Sequence, residues 1–173
     1  MAIDAKDRFT YGHSKRVGER AAALAEAAGL DKKECEEIRL AGLLHDVGKI
    51  GLSEAMLTKP TELTRRERLI FQRHPVMSAE IIDYFGFASA EVAQAVRYHH
   101  ERVDGHGYPD GARAGEIPVA ARVLAIADAW DAMISRRAYR LPYDPDRAIN
   151  ELLKNKNSQF DDMLVDLFVK TIS

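Results

Sequence analysis

The feature that most constrains this chain is a histidine beside an aspartate, His45-Asp46, which directly follows the apolar stretch 40–44 (Leu-Ala-Gly-Leu-Leu). Burying an imidazole and a carboxylate together costs several kcal/mol unless another group compensates them. A divalent metal ion would do so, because histidine nitrogens and carboxylate oxygens are common metal ligands. The alternative is a structural pair, in which His45 bonds a carbonyl in the core and Asp46 caps a nearby segment.

The composition is that of an ordinary soluble domain. The 173 residues are 46% hydrophobic and 30% charged, which predicts one domain with a sizeable core. The net charge of −2 gives no reason to expect a nucleic-acid polymer or a membrane as a partner. The charged start of the chain is unlike a signal peptide, and no apolar run approaches the roughly 20 residues of a transmembrane helix. Cys35, the single cysteine, favours a reducing cytoplasmic location and is expected to be inert.

Apolar residues recur with helical periodicity over nearly the whole chain, so we predict an all-α bundle. Capping boxes at Asp31 and Glu34 and at Thr64 and Glu67 predict two helix starts. Four glycines and a proline in 101–117 predict one long structured loop. The predicted helices cover about 13–28, 31–46, 64–71, 75–85, 89–100, 118–132, a segment that begins at Asp144-Pro145, and about 161–170.

Two histidine motifs later in the chain supply further candidate ligands. His99-His100 stands at the predicted end of a helix, where two adjacent side chains can both face a cleft. His74 precedes Pro75, which predicts an extended backbone for His74 at a helix start. Taken alone, each motif has a structural alternative, which is a solvated helix end for His99-His100 and an exposed turn for His74.

Asp128 is a further candidate because it interrupts the apolar series 123–127. Asp131 shares its helix face three residues later, although a polar surface stripe would explain Asp131 easily. Lys49 lies three residues after Asp46, so a continuing helix would place it on the same face. There it would bind a phosphate or protonate a leaving group, whereas its alternative role is to complement the helix dipole.

Four imidazoles and two carboxylates exceed what one tetrahedral zinc ion needs. They suit two octahedral first-row ions, such as iron or manganese, bridged by a carboxylate and a hydroxide. Two ions about 3.5–4 Å apart lower the pKa of a bound water and hold the oxygens of a displaced phosphate. The predicted ligands are His45, Asp46, His74, His99, His100 and Asp128.

Four motifs, in this order, resemble the HD-GYP subfamily of the HD-domain phosphohydrolases: LLHDVGK over 43–49, HHE over 99–101, GYP over 107–109 and DAWDA over 128–132. The resemblance extends from residue 7 to residue 161. It implies an HD helical bundle with a C-terminal helical extension and a Gly-Tyr-Pro loop, as a single domain over residues 1–173. It also implies a metal-dependent phosphodiesterase that opens the bacterial second messenger cyclic di-GMP to the linear dinucleotide, with further cleavage to GMP left open.

The resemblance also implies roles for individual residues. The six predicted ligands would hold the metal ions with Asp46 as a bridge, and a metal-bridging hydroxide would attack the phosphorus. Lys49 would stabilise charge or protonate the leaving oxygen. Tyr108 would hold a guanine, and Arg137 and Arg140 would contact the phosphates, with a solvated loop as the alternative for the two arginines.

Two positions depart from the family pattern. Three-metal members carry a glutamate where this chain has Phe9, and a phenyl ring cannot bind metal, so we predict two ions, iron before manganese. His13, one turn later, is then open: a remnant ligand, a water-mediated phosphate contact or a structural residue. His106 stands where the family has a small residue before Gly-Tyr-Pro, and we do not count it as a ligand.

Two other functions would use similar residues. An HD-type di-iron oxygenase has nearly the same ligands, but the Gly-Tyr-Pro loop and the two arginines favour a phosphate substrate. A catalytically silent module that binds a cyclic dinucleotide or docks a partner would not need all six ligands. The sequence leaves open whether the chain forms a homodimer, works with regulatory domains or is a fragment of a longer regulator.

Overall fold

The computed structural model describes residues 12–59, 61–86, 88–135 and 141–172. Within these residues the β-type pairings are two isolated bridges, so the predicted all-α class is confirmed. None of the described helices is both long enough and apolar enough to cross a membrane. The helices are α1 (His13–Ala27), α2 (Lys32–Leu44), α3 (Glu54–Leu57), α4 (Arg65–Phe71), α5 (His74–Phe85), α6 (Ala90–Tyr98), α7 (Val119–Ile134), α8 (Pro145–Lys154) and α9 (Asp162–Ile172), with a 3₁₀ helix at Val47–Gly51.

Side-chain caps define several of the helix starts. The Asp31 carboxylate accepts a hydrogen bond from the Glu34 N–H at 2.9 Å, and the Glu34 carboxylate accepts one from the Asp31 N–H at 2.8 Å. Thr64 and Glu67 form the same reciprocal pair ahead of α4. These bonds satisfy N–H groups that have no partner within the helix. Both predicted capping boxes are therefore confirmed.

The extended backbone predicted for His74 is wrong, although the predicted helix start is confirmed. His74 is the first residue of α5, and Arg73 before it already has helical angles, φ −82° and ψ −14°. Packing of the buried His74 outweighs the pre-proline preference, and Pro75 fits the first turn because its missing N–H would be unpaired there. Pro118 is the N-cap of α7 rather than part of its first turn, because its carbonyl accepts the first N–H bonds, from Ala121 and Arg122.

A contact between two glycines brings α1 against α2. A Cβ atom on Gly42 would lie 2.5 Å from the Cα atom of Gly18, so no other residue fits at this crossing without displacing a backbone. The close approach places the imidazole of His13, at the start of α1, 5.2 Å from that of His45 at the end of α2. The helix crossing therefore joins two distant parts of the sequence at one site.

A second glycine contact packs the 3₁₀ helix onto α5. A Cβ atom on Gly48 would lie 2.4 Å from the carbonyl oxygen of His74. The Gly48 N–H also donates to the Ser78 hydroxyl at 2.8 Å. Asp46 and Lys49, two residues before and one residue after Gly48, are thereby held beside the first residue of α5.

The apolar core lies beneath these crossings. Trp130 of α7 packs edge-on against Phe168 of α9, with 5.6 Å between ring centroids. The C-terminal helices α8 and α9 thus close the core on α7, which agrees with the predicted C-terminal extension. Large, fully buried side chains come from six helices: Val17, Leu24, Ile82, Val96, Leu124, Ile126, Leu152 and Phe168.

Candidate metal centre

The six predicted ligands come from four helix ends or faces and meet in one place. His45 Nε2 lies 3.4 Å from Asp46 Oδ2 and 3.9 Å from Asp128 Oδ1. His74 Nε2 lies 3.3 Å from Asp46 Oδ1. Three groups of residues each bring their donor atoms within 4.8 Å of one another. The groups are His74, His99 and His100; His13, His45 and Asp46; and His45, His99 and Asp128.

Three of the imidazoles are oriented by main-chain carbonyls of the preceding turn. The Nδ1 atoms of His45, His74 and His99 lie 2.7, 2.8 and 2.6 Å from the carbonyl oxygens of Gly42, Phe71 and Val96. A carbonyl can only accept, so each Nδ1 carries the proton and each Nε2 presents a lone pair to the cluster. This is how histidine ligands are commonly held in metal sites.

The fit of a cation follows from atoms that the protein leaves without partners. The Nε2 atoms of His45, His74 and His99 and Oδ1 of Asp46 are buried and have no hydrogen-bond partner among the described residues. A buried polar atom without a partner costs about 1–3 kcal/mol. Across the 3.3 Å between His74 Nε2 and Asp46 Oδ1, moreover, one lone pair faces another. A cation that accepts both lone pairs would remove the repulsion and the desolvation cost together.

Burial keeps the histidines in the form that binds metal. It lowers the pKa of His74 to about 3 and that of His99 to about 4, so both imidazoles are neutral at physiological pH. Burial acts in the opposite direction on Asp46, raising its pKa, but the positive charge around it, the Lys49 ammonium included, outweighs burial and holds the pKa well below its usual range. The site therefore presents neutral imidazoles at His74 and His99 and an ionised carboxylate at Asp46.

His13, which the sequence left open, lies within the cluster. Its Nε2 is 3.2 Å from Asp128 Oδ1, and its Nδ1 is 2.7 Å from Asp131 Oδ2. Asp131 is 2% exposed and also binds Arg16 at 2.6 Å. Burial lowers the pKa of His13, but its bonds to the two aspartates prevail and raise the pKa to about 9. The surface position considered for Asp131 is wrong, because its carboxylate orients His13.

Lys49 reaches the site by a route that differs from the prediction. α2 ends at Leu44, and Lys49 lies in the 3₁₀ helix that follows. Its ammonium group donates to Asp46 Oδ2 at 2.6 Å and lies 5.2 Å from the centre of the Phe71 ring. The expected shared face with Asp46 is therefore present, although the α-helix does not continue.

Tyr108 borders the histidine cluster from the long loop. Its ring lies 4.8 Å from the His100 ring, and burial raises the pKa of its phenol. The peptide bond between Tyr108 and Pro109 is cis. His106 is exposed and lies 3.4 Å from Asp104, outside the cluster. Phe9, Arg137 and Arg140 lie outside the described residues.

Sequence reasoning gave no role to Glu101, the last residue of the His-His-Glu motif. It is 4% exposed and accepts hydrogen bonds from the N–H groups of Asp110 and Gly111. The only sign of its role in the sequence was its place directly after two candidate ligands, His99 and His100. Its partners are nine and ten residues later, in a loop whose conformation no periodic pattern predicts.

Several curated proteins resemble this chain over nearly all of its length. It is 36% identical to a cyclic di-GMP phosphodiesterase of Pseudomonas aeruginosa, over 99% of this chain and 41% of that protein. A cyclic di-GMP phosphodiesterase of Thermotoga maritima is 34% identical, over 98% and 46%. A 3'3'-cGAMP-specific phosphodiesterase of Vibrio cholerae is 35% identical, over 98% and 33%. The chain thus spans less than half the length of each of these relatives.

The fold and the family are shown by two further comparisons. An HDG"Y"P protein from Bdellovibrio bacteriovorus superposes with a TM-score of 0.76 at 19% identity, over 92% of this chain and 51% of that one. At this identity the similarity shows the fold alone. A family model described as "HD domain" matches residues 1–164. The resemblance inferred from the motifs is confirmed, and the chain belongs to the HD domain family.

Proposed function

We propose that this chain is a metal-dependent phosphodiesterase that hydrolyses cyclic di-GMP to the linear dinucleotide. The observation that carries the proposal is the set of buried, partnerless imidazole and carboxylate atoms that face one another beside Tyr108. The activities named for the Pseudomonas and Thermotoga relatives support the same substrate.

We assign two divalent ions, iron before manganese, to the six predicted ligands. Asp46 is suited to bridge them, because its Oδ1 faces His74 and its Oδ2 faces His45, at 3.3 and 3.4 Å. His13 lies on the Asp128 side of the site, where its Nε2 would become a seventh donor once a bound metal displaces its proton. Nitrogen and carboxylate donors in this number favour octahedral first-row ions over a single zinc ion.

The protein's own groups divide the work of hydrolysis around the metals. When bound, the two ions would supply a nucleophilic hydroxide and stabilise negative charge on the phosphate. Hydrolysis adds one water across a P–O bond, so a proton must reach the departing ribose oxygen. Lys49 carries an ammonium group at the site, and its bond to Asp46 holds that group in place. We therefore assign Lys49 the role of protonating or stabilising this oxygen.

Tyr108 supplies an aromatic face at the edge of the site, where a guanine base can stack. Phosphate contacts by Arg137 and Arg140 stay predictions, as do the single domain over residues 1–173, the cytoplasmic location and a homodimer or attached regulatory domains. A 3'3'-linked cyclic GMP-AMP is the second candidate substrate, because the Vibrio relative named for that activity is 35% identical.

The test is turnover by protein reconstituted anaerobically with ferrous iron or manganese. We expect chromatography to show the linear dinucleotide from cyclic di-GMP, and we expect the Asp46→Asn variant to produce none. Cyclic GMP-AMP in a parallel reaction decides between the two substrates. Metal-loaded protein that cleaves neither nucleotide contradicts the proposal. Oxygen consumption under the same conditions would identify the oxygenase instead.

A further inference from the structure

Glu101 is a buried carboxylate next to the metal centre that does not belong to the sets of possible ligands. Its Oε1 accepts hydrogen bonds from the N–H groups of Asp110 at 2.6 Å and Gly111 at 3.0 Å. Its Oε2 is buried and has no hydrogen-bond partner within the described ranges. Burying a carboxylate in this way costs free energy, which the two hydrogen bonds offset only in part.

The two bonds anchor the segment 107–111, which carries Tyr108, to Glu101, three residues after the end of α6. The backbone is packed tightly here, since a Cβ atom on Gly107 would lie 2.4 Å from the Cα atom of Glu101. The Tyr108 N–H donates to the His100 carbonyl at 3.2 Å. On the exposed side of the segment, Arg97 pairs with the Asp110 carboxylate at 3.0 Å. Glu101 is the buried side chain among these links.

The position of this segment determines where the Tyr108 ring lies. The ring stands 4.8 Å from the His100 ring, and His100 is itself 5.0 Å from His74. If the segment moved outward, Tyr108 would leave the edge of the histidine cluster, while His74 and His99 would keep their own backbone supports. The loop can thus change substrate affinity while these two ligands stay in place.

We propose that Glu101 is a positioning residue that holds Tyr108 over His100 and so sets the affinity for the cyclic dinucleotide. It acts through the backbone of residues 110 and 111 rather than by touching the substrate. The proposal deepens the function given above and rests on it for the substrate. The hydrogen bonds of Glu101 can be tested without any substrate.

Hydrogen–deuterium exchange is that substrate-free test. Glu101→Ala removes the acceptor of two amides, so a peptide that contains Asp110 and Gly111 should exchange faster than in the wild-type protein. Glu101→Gln keeps a carbonyl oxygen as acceptor and should exchange more slowly than the alanine variant. Equal exchange in wild-type protein and Glu101→Ala overturns the anchoring role.

Steady-state kinetics test the link to substrate affinity. We expect Glu101→Ala to raise KM by about tenfold, the factor expected from losing one to two hydrogen bonds, with kcat within about twofold of wild type and metal content unchanged. Glu101→Gln should recover most of the loss. Arg97→Ala is the matched control, because it removes the exposed link to the same loop, and its KM should stay near that of wild type.

Two results would overturn the proposal. One is an unchanged KM in Glu101→Ala; the other is loss of metal with a collapse of kcat, which would place Glu101 in support of His100 instead. If Glu101→Ala does not fold, Gly107→Ala pushes the same segment away from the Glu101 backbone and should raise KM in the same way. A wild-type protein that cleaves no dinucleotide contradicts the proposed function, while the exchange data still decide the role of Glu101.

Discussion

On one side of the metal centre, His45, His74 and His99 are oriented by main-chain carbonyls three residues earlier in the chain. On the other side, His13 is oriented by the side chain of Asp131, which lies 118 residues away. A carbonyl support is part of the helix end itself, so no substitution elsewhere removes it. A side-chain support can be removed without altering the ligand. The difference makes the two sides separable by mutation.

The largest effect should come from the side held by the backbone. His74→Ala removes an imidazole that faces Asp46, and no neighbouring side chain replaces that donor within the described residues. We expect the variant to lose bound metal, measured by elemental analysis, and to lose about two orders of magnitude or more in kcat/KM. His106→Ala, at the exposed histidine, is the matched control and should retain both. Full metal content in His74→Ala would show that His74 is not a ligand.

A substitution at Asp131 should weaken the other side without touching a candidate ligand. Asp131→Asn cannot accept from both His13 and Arg16 as the carboxylate does. Loss of such an orienting carboxylate costs about 10–100-fold in metal affinity or activity. Metal titration and kcat/KM measure the effect, and Asp166→Asn, at an exposed aspartate paired with Lys156, is the control. If Asp131→Asn binds metal with wild-type affinity, the site does not depend on the side-chain support of His13, and the contrast between the two sides is wrong.

Arg16 acts one step further out, so its removal should do less. Its guanidinium binds Asp131 at 2.6 and 3.0 Å but is itself half exposed. We expect Arg16→Ala to reduce metal affinity by less than about tenfold, since partly exposed ion pairs contribute little. Because Arg16 works through Asp131, the double variant with Asp131→Asn should be no weaker than Asp131→Asn alone. Additive losses would show that Arg16 has an independent role at the site.

The two sides should also respond in opposite directions to pH in metal-free protein. The folded-state pKa of His74 is about 3, below the usual 6.5. Its contribution to the free energy of unfolding is therefore complete above pH 6.5 and is lost as pH falls from 6.5 toward 3. The pKa of His13 is raised from 6.5 to about 9, so its contribution is complete at lower pH and is lost as pH rises through 9.

Thermal unfolding of chelator-treated protein between pH 4.5 and 9.5 measures this dependence. We expect the Tm to be highest between the two limits, and His13→Asn should remove the fall on the alkaline side while leaving the acid side unchanged. An alkaline fall that persists in His13→Asn would contradict the assignment.

The same distinction explains what the sequence could predict. The capping boxes and the ends of most helices depend on residues three or four positions apart, and they were predicted correctly. Asp46 and Asp128 stood out because each comes at the end of a run of apolar residues, where an exposed carboxylate is not expected. The helical backbone of His74 was missed because tertiary packing overrode a local backbone preference.

Asp131 and Glu101 could not be placed from local pattern for a related reason. Whether a carboxylate is buried depends on partners that the fold brings to it. For Asp131 these are His13 and Arg16, from the opposite end of the chain. For Glu101 they are two amides in a loop without periodicity. The role of Tyr108 as a base contact came from family resemblance alone and stays a prediction; the structure places its ring beside His100.

The most direct test of the proposed metal centre is anomalous scattering from crystals of protein reconstituted anaerobically with iron or manganese. We expect two peaks for each chain at the metal's absorption edge, on either side of the Asp46 carboxylate and within bonding distance of the His45 and His74 Nε2 atoms. Crystals of metal-saturated protein with no anomalous peak among these residues would contradict it.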